Sequence, residues 1–389
     1  MISARNPMKD KVAIAAAATT GFTAQNTERS QLSLGAEACI KAIRACGLTA
    51  SDTDGICGSA VPAAAMQSAL GIPEVTWFAN PSIPFGNQIA AAAAAVHAGL
   101  AEVVLAYHTP YRLPWNTSGA LKDPFRRGGM TMPGAGAVPE TVAGVAGYTA
   151  WAARYLHEYD ARREHFGYVA INDRSNAARN PAAAMRAPLD MDDYLAARMI
   201  RWPLSMLDMD VAVDGADAFI ITTPERARDM ALPPVLIQAV VLGMIDRNEE
   251  DQTPGLHRHG QHVVVEALKA RSDFWTDGMD LFFPYDGFSF ITLAWIESVG
   301  LCGPGEAGGF IEANWDQAAK RILIDGHIPV NPHGGSLSEG GSQGSGHVRE
   351  AVHQLQGLAG ERQVEGARTA LLTPGGFFFN AQGLTLRRA

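Results

Sequence analysis

A glycine-rich stretch at residues 331–347, NPHGGSLSEGGSQGSGH, carries the first groups that could do chemistry. It holds six glycines, two histidines and one glutamate, and glycine lets a backbone approach a bound group closely. A phosphate loop is excluded because Gly341 stands where that motif needs its lysine. A dinucleotide fingerprint also fails, since Gly344 and Gly346 are followed by His347 and no third glycine. The stretch therefore predicts close backbone approach without a nucleotide-phosphate site.

An apolar segment at residues 281–290, LFFPYDGFSF, ends in a phenol and a carboxylate, Tyr285 and Asp286. The sites of α/β proteins lie at the carboxyl ends of sheet strands. Both side chains are therefore candidates for proton transfer. The alternative is a buried tyrosine with a satisfied hydroxyl and an aspartate that caps the next helix, and periodicity alone slightly favours it.

Residues 81–88, PSIPFGNQ, lead from a predicted strand into a helix. A helix N-terminus stabilises an anion and is a common place for a nucleophilic cysteine, because the dipole lowers the pKa of a thiol. No cysteine stands here, and Ser82 could act as a nucleophile only with a base beside it. An ordinary turn serine is the favoured interpretation.

Histidines are the remaining candidates for metal ligands. Those of the glycine-rich stretch share no helical i, i+4 face, and no cysteine or aspartate cluster joins them. Three more follow the acidic run DRNEED: His257, His259 and His262. A solvent-exposed loop that enters a helix is the favoured interpretation of this cluster, with a metal site as the alternative. We expect no metal in the site around residues 331–347.

Composition indicates a globular protein with two domains or two fused halves, since the chain has 389 residues and is 47% hydrophobic. A net charge of −9 argues against nucleic-acid binding. No uncharged apolar stretch approaches the roughly 20 residues of a membrane span. The apolar run after Lys11 is interpreted as a first strand rather than a signal peptide. Four cysteines without a CxxC pair predict a reducing, cytoplasmic compartment: Cys39, Cys46, Cys57 and Cys302.

Strand and helix patterns alternate at both ends of the chain. VTWFAN at 75–80, a small-residue helix over about 86–99 and VVLAYHT at 103–109 form a crossover unit, whose alanine-rich helix is predicted to lie between layers. Turn-rich and helical segments over about 112–206 indicate an insertion. We therefore predict an α/β fold with an N-terminal half at 1–232, which contains this insertion, and a C-terminal half at 233–389.

These motifs resemble the thiolase superfamily, in its lipid-transfer-protein or sterol-carrier-protein-X-like branch. The resemblance rests on FPYDGFSF, ESVGLCGPGEAGGF and the glycine-rich stretch in the C-terminal half, and on NPSIPFGNQIAAAAAAVHAGL in the N-terminal half. It implies two similar α/β halves in a five-layer αβαβα sandwich, an inserted loop domain and a homodimer.

The resemblance also implies which thiolase groups this chain lacks. The nucleophilic cysteine of thiolases corresponds to Ser82, and their Gly-His-Pro motif corresponds to Gly340, Gly341 and Ser342. Their second cysteine falls near Thr373. Since these three groups are needed for Claisen condensation, ordinary thiolase activity is not expected.

Tyr285 stands in the position of the thiolase Asn-Glu-Ala-Phe motif and is similar to a tyrosine of steroid side-chain aldolases. Those enzymes cleave a β-hydroxyacyl-CoA without a covalent intermediate, and they work with a small OB-fold and zinc-ribbon partner. The implied function is therefore a retro-aldolase on an acyl-CoA with a bulky apolar acyl group, for which a steroid-like group is the candidate. The implied assembly is a heterotetramer, with coenzyme A entering as part of the substrate and no other cofactor. A second aldolase tyrosine corresponds to Gly341 in this chain.

The candidate catalytic residues are Tyr285, His333, Asp286 and Ser82. A retro-aldol step needs a base for the β-hydroxyl proton and donors for the developing enolate oxygen. Tyr285 is the candidate for proton transfer, His333 for a relay, and Ser82 for binding the oxyanion. The candidate substrate-binding residues, whose amides could reach a thioester, are Gly334, Gly335, Gly340 and Gly341, with Glu339 as either a site carboxyl or a solvated helix-entry residue.

Two alternatives belong to other functional classes. The absent thiolase groups also fit a catalytically degenerate subunit that binds acyl-CoA or serves as a scaffold for an OB-fold partner. Acyl transfer through Ser82 is the third hypothesis, and a mass-shifted acyl-enzyme would identify it.

Overall fold

The computed structural model of the chain describes residues 3–25, 28–113, 145–246, 255–376 and 380–389. The N-terminal half alternates strands and helices before and after the insertion. In chain order its elements are β1 (Ala13–Thr23), α1 (Gln31–Ala45), β2 (Gly55–Ser59), α2 (Ala63–Leu70), β3 (Trp77–Ala79), α3 (Gly86–His97), β4 (Val103–His108), α4 (Val145–Tyr159), α5 (Arg163–Ala177), α6 (Met191–Ala196), β5 (Met199–Arg201), β6 (Leu204–Ser205), β7 (Asp214–Thr222) and α7 (Pro224–Arg228).

The C-terminal half repeats this alternation. Its elements are β8 (Val235–Gly243), α8 (Gly260–Arg271), β9 (Leu281–Pro284), α9 (Ser289–Ser298), α10 (Ala307–Ala313), β10 (Trp315–Asp316), β11 (Arg321–Ile324), β12 (Ile328–Pro329), α11 (Ser345–Gln356), β13 (Thr369–Thr373) and β14 (Ala381–Arg388). A short π-type turn at Gly335–Glu339 lies between β12 and α11.

Local signals in the sequence explain several helix ends. The Thr223 hydroxyl accepts a hydrogen bond from the Arg226 amide, and Pro224 occupies the first turn of α7. Gly47 follows α1 with a φ of 73°, a left-handed conformation that glycine adopts without a steric penalty. These two helix ends therefore follow from the local sequence.

Within the described residues, one sheet contains nine strands in the order β3-β2-β4-β7-β1-β8-β14-β13-β9. In the N-terminal half β2 is parallel to β4, and antiparallel pairs follow from β4 to β7 and from β7 to β1. The C-terminal half has the same pattern, with β9 parallel to β13 and antiparallel pairs from β13 to β14 and from β14 to β8. The two halves therefore share one topology and join where β1 pairs with β8.

Helices on both sides of these strands complete the layers. α1 and α2 pack on one face of the N-terminal strands, and α8 and α9 cover the outer side of the C-terminal strands. α3 and α11 lie in the middle, in a core to which strands of both halves contribute. Because α3 consists mainly of alanine, both neighbouring layers can approach it closely. This is the predicted helix–sheet–helix–sheet–helix order.

The insertion extends from β4 to β7 and carries α4, α5 and α6. α5 is buried and packs on the turn at Gly335–Glu339 and on β11, so it belongs to the floor of the candidate site. Residues 114–144 of the predicted insertion lie outside the described residues. Across the described part of the chain, no helix combines the length and the apolar character that a bilayer span requires. The cytoplasmic location stays a prediction.

Candidate active site

Two strand ends bring the candidate residues together. β9 leads into Tyr285, and β12 leads into the glycine-rich stretch, with Phe282 and Val330 bridging the two segments in parallel. The Asn331 amide donates to the Phe282 carbonyl at 3.1 Å, and the Asn331 side chain donates to the Pro284 carbonyl at 2.9 Å. Both segments therefore leave the sheet at the same edge, as the sequence predicts for a site at strand ends.

Asp286 holds the glycine-rich stretch in place. Its carboxylate accepts hydrogen bonds from the amides of Ser336 at 2.8 Å and Leu337 at 2.9 Å, and lies 2.9 Å from Nε2 of His347. Burial opposes ionisation of Asp286, but the hydrogen bonds from His347 and from the Ser336 amide keep its pKa below the usual range. A β-carbon at Gly335 would lie 2.7 Å from Asp286 Cγ, so glycine is required there.

Asp173 on α5 forms a carboxyl pair with Asp286. Burial raises the pKa of Asp173 well above its usual value, and the negative charge of Asp286 raises it further. The side chain of Asn172 donates to Asp173 Oδ1 at 3.0 Å. The titrations of the two carboxyls are therefore linked, and protonation is favoured at Asp173 over Asp286.

Tyr285 is buried beside this pair, and only 6% of its surface is exposed. Its ring folds over Gly287, where a β-carbon would lie 2.8 Å from the phenol oxygen. Burial raises the pKa of Tyr285 well above its usual value, and the charges of Asp210 and Asp286 act in the same direction. Arg112 opposes this rise. The site must therefore supply positive charge or a relay before Tyr285 can act as a base.

His333 and His347 stack in the wall of the site. Their ring centroids are 4.6 Å apart in an edge-to-face arrangement, and the ring of Tyr285 lies 5.8 Å from that of His347. Among the described residues, neither ring nitrogen of the fully buried His333 has a hydrogen-bond partner. Burial lowers the pKa of His333 well below its usual value, and the neighbouring His347 contributes. His333 is therefore neutral near pH 7, as a proton relay requires.

Glu339 is fully buried, so the alternative of a solvated helix-entry residue is wrong. Its Oε1 accepts a hydrogen bond from the Asn180 side chain at 2.6 Å and forms an ion pair with Arg349, while its Oε2 lies 4.0 Å from His333 Nε2. Burial raises the pKa of Glu339 to about 7, although the charge of Arg349 lowers it. Glu339 is thus a carboxyl that exchanges its proton near neutral pH.

The glycines of the stretch make room for other protein groups. The amides of Gly334, Gly340 and Gly341 donate to the carbonyl oxygens of Asn331, Gly335 and Val211, respectively. The expectation that these amides are open to a thioester oxygen therefore needs correction at these three positions, because each N–H already has an acceptor. A β-carbon at Gly334 would overlap with Ala177 of α5, so this glycine allows α5 to pack against the site.

Ser82 lies before α3, which reaches the glycine-rich stretch through a hydrogen bond from the Phe85 amide to the Gln343 carbonyl at 2.9 Å. Ser82 is exposed, and its backbone carbonyl accepts a hydrogen bond from the Asn87 side chain at 2.9 Å. In the part of the chain that the structure describes, the Ser82 hydroxyl has no histidine or carboxylate as a hydrogen-bond partner. The base that a serine nucleophile needs is therefore not in place.

The histidine cluster of residues 257–262 lies elsewhere, at the start of α8, beside a cavity of about 230 Å³. His257 is exposed, but His259 is buried and His262 is half-buried, so the prediction of a solvent-exposed loop is correct only for His257. The rings of His259 and His262 stack edge to face at 4.3 Å. Over the described ranges, no group of three or more histidine, cysteine, aspartate or glutamate side chains could hold a metal ion.

Three participants were not predicted as site residues: His347, Asp173 and the Arg112–Asp210 ion pair. His347 stands at the end of the quoted glycine-rich stretch but was considered there only as a metal ligand. Asp173 and Arg112 lie in the insertion, more than 100 residues from Tyr285 along the chain. No local pattern links them to the site.

Comparison with known proteins agrees with this geometry. The family described as "Thiolase C-terminal domain-like" matches residues 254–387. The "17-hydroxy-3-oxo-4-pregnene-20-carboxyl-CoA lyase" of Mycobacterium tuberculosis is 31% identical, over 95% of this chain and 97% of its own length. The "Steroid side-chain-cleaving aldolase" of Thermomonospora curvata is 32% identical, over 89% of this chain and 90% of its own.

The chain belongs to the thiolase superfamily. A solved structure named "Ltp2-ChsH2(DUF35) aldolase" superposes with a TM-score of 0.85 at 29% identity, and the match covers 98% of this chain and 99% of that one. The predicted thiolase fold and the sterol-carrier-protein-X-like branch are therefore confirmed. The predicted class of aldolase or lyase agrees with the names of both curated relatives.

Proposed function

We propose that this thiolase-superfamily protein is a carbon–carbon lyase that cleaves a β-hydroxyacyl-CoA by a retro-aldol reaction. The observation that carries the proposal is Tyr285, a buried phenol at the end of β9 in a site that has no cysteine at either thiolase position. A phenol can transfer a proton, but the site lacks the nucleophile for a covalent acyl-enzyme. The two full-length relatives are named as a lyase and an aldolase, which supports the same chemistry.

In the proposed reaction, ionised Tyr285 takes the proton of the substrate's β-hydroxyl group. The C–O⁻ electrons form a carbonyl, the Cα–Cβ bond breaks, and its electron pair becomes the enolate of the thioester. Protonation of that enolate gives a shortened acyl-CoA beside the released ketone or aldehyde, so atoms and charge balance. Glu339 has a pKa of about 7 and lies next to neutral His333, which makes this pair the candidate source of the enolate proton.

We infer that the acyl group is bulky and apolar, with a steroid-like acid as the leading candidate. The names of the two relatives support this substrate class. We also infer a partner with an OB fold and a zinc ribbon, because the similar solved structure is named as a complex with a DUF35 protein. A homodimer of this chain with two partner copies would form the expected heterotetramer.

The test is an incubation of the purified protein, alone and co-expressed with a DUF35-type partner, with steroidal and straight-chain β-hydroxyacyl-CoA substrates. Chromatography with mass detection should find a ketone or aldehyde together with the shortened acyl-CoA. Tyr168→Phe is a matched control, because this tyrosine of α5 packs on Trp315, outside the candidate site. If no substrate is cleaved in either assembly, the lyase proposal is refuted.

The degenerate-subunit hypothesis makes a different prediction for the same samples. Calorimetry would then detect binding of acyl-CoA, or of the DUF35-type partner, with no turnover in any assembly. Acyl transfer through Ser82 would instead leave a mass-shifted acyl-enzyme that Ser82→Ala abolishes. Among the described residues, the Ser82 hydroxyl has no base as a hydrogen-bond partner, which argues against this third reaction.

A further inference from the structure

An ion pair between Arg112 and Asp210 is tied to the segment that carries the candidate base. Arg112 Nη1 is 2.6 Å from Asp210 Oδ2. The Arg112 amide donates to Asp214 Oδ1 at 2.9 Å, which fixes its backbone just after β4. The Asp210 amide donates to the Gly287 carbonyl at 3.0 Å, two residues after Tyr285. The pair is therefore anchored at both ends, and one anchor is the segment that carries Tyr285.

Gly341 leaves the space that this pair occupies. A β-carbon at position 341 would lie 2.5 Å from Asp210 Oδ2 and would also overlap with Arg112 Nη1. The Gly341 amide donates to the Val211 carbonyl at 2.8 Å, which prevents the backbone from moving away. A side chain at position 341 would therefore have to displace the Arg112–Asp210 pair from its present position.

The charged groups around Tyr285 act on the ionisation of its phenol. Asp210 and Asp286 disfavour a phenolate, as does the neighbouring phenol of Tyr148, whereas the positive charge of Arg112 favours one. The Arg112 side chain is 39% exposed, so its charge is partly screened by solvent. Its charge nevertheless acts to lower the pKa of the buried phenol, because the effective dielectric constant there is below that of water.

We propose that Arg112, held by Asp210 in the space beside Gly341, is a positioning residue whose positive charge stabilises the Tyr285 phenolate. This inference rests on the proposed function for its catalytic meaning, since the phenolate is the base of the retro-aldol step. The structural part of the inference concerns the ionisation of Tyr285 alone and can be measured without substrate.

The test places a fluorinated tyrosine at position 285, since its lower intrinsic pKa brings ionisation into a range where the protein stays folded. The absorbance of the phenolate is then titrated with arginine, lysine or methionine at position 112, in the full chain. Arg112→Met should raise the pKa, and Arg112→Lys should keep it close to that of the parent. Asp210→Asn should change the pKa in the opposite direction, because it removes a negative charge.

Gly341→Ala provides a second approach with Arg112 unchanged. Because the added methyl group would also displace Asp210, Gly341→Ala is made in the Asp210→Asn background, where the guanidinium is the one charge that it displaces. There it should raise the pKa of residue 285 in the same direction as Arg112→Met. An equal pKa in the Arg112→Met and parent proteins would overturn the inference, and so would an equal effect of methionine and lysine.

Kinetics connect the inference to catalysis. If turnover is observed, Arg112→Met should lower kcat/KM about tenfold at pH 7 and move the ascending, acidic limb of its pH profile to higher pH, since one pH unit corresponds to a factor of ten. Arg112→Lys should restore most of the loss. If the titration of residue 285 changes as expected but no substrate is cleaved, the effect of Arg112 on ionisation stands and the lyase function is refuted. Failure of the inference and failure of the proposed function can therefore be distinguished.

Discussion

Glu339→Gln tests whether the buried carboxyl beside His333 exchanges its proton near neutral pH. Burial raises the pKa of Glu339 from 4.5 to about 7 in the folded protein. Between these two values the folded state binds a proton that the unfolded state has already lost. The free energy of unfolding must therefore fall as the pH rises through this interval, and the contribution of Glu339 is lost above about pH 7.

The size of the effect follows from the two pKa values. Their difference corresponds to about 3 kcal/mol, at roughly 1.4 kcal/mol for each pH unit. Between pH 5 and pH 8, the expected loss is about 2–3 kcal/mol, because part of the interval lies below pH 5. Glutamine is isosteric and uncharged, so Glu339→Gln should remove this dependence. Arg349 would keep its ion pair with Asp217 at 2.7 Å.

The assay is urea unfolding of wild type and variant at several pH values from 5 to 8, at one protein concentration and in one assembly state. As the pH rises from 5 to 8, the wild-type protein should lose about 2–3 kcal/mol of unfolding free energy relative to Glu339→Gln. Glu365→Gln is the matched control, because this glutamate is exposed and should give a constant difference. Parallel pH profiles for wild type and Glu339→Gln would refute the reasoning.

Two further substitutions test the rest of the site. Tyr285→Phe should lower kcat by about 10²- to 10⁴-fold, because it removes the group that transfers the proton, while circular dichroism stays unchanged; an active variant would exclude Tyr285 from the mechanism. Gly335→Ala should destabilise the protein, because its β-carbon would collide with Asp286 and its φ of 58° disfavours alanine. Gly309→Ala, on α10 with open space around it, is the control and should be neutral or stabilise by up to about 1 kcal/mol. Similar melting temperatures for these two glycine variants would contradict the packing argument.

The sequence by itself determined the layers of the fold. Alternating apolar patterns predicted strands and helices at both ends of the chain, and the alanine-rich segment at 86–99 predicted a helix between layers, which α3 confirms. These features are local, because a periodic pattern needs only neighbouring residues. The sequence also showed that cysteines are absent from both thiolase positions, since that comparison depends on the identity of single residues.

Burial was the first property that only the tertiary structure decided. Glu339 stands in a polar, glycine-rich stretch, and its sequence context did not distinguish a solvated residue from a site carboxyl. The packing of α5 and α11 around the turn at Gly335–Glu339 excludes water and raises its pKa. Likewise, the glycines predicted to offer amides to a substrate instead offer space to Asp286 and to the Arg112–Asp210 pair.

The charged groups near Tyr285 were the second feature that only the tertiary structure decided. Arg112, Asp173 and Asp210 come from an insertion whose sequence carries no catalytic motif, and each lies at least 75 residues from Tyr285 along the chain. Electrostatic interactions depend on distance in space and on the local dielectric environment, and neither is encoded in a short sequence pattern. The folded chain alone brings Arg112 and Asp210 to the segment of the phenol, where their charges act on its pKa in opposite directions.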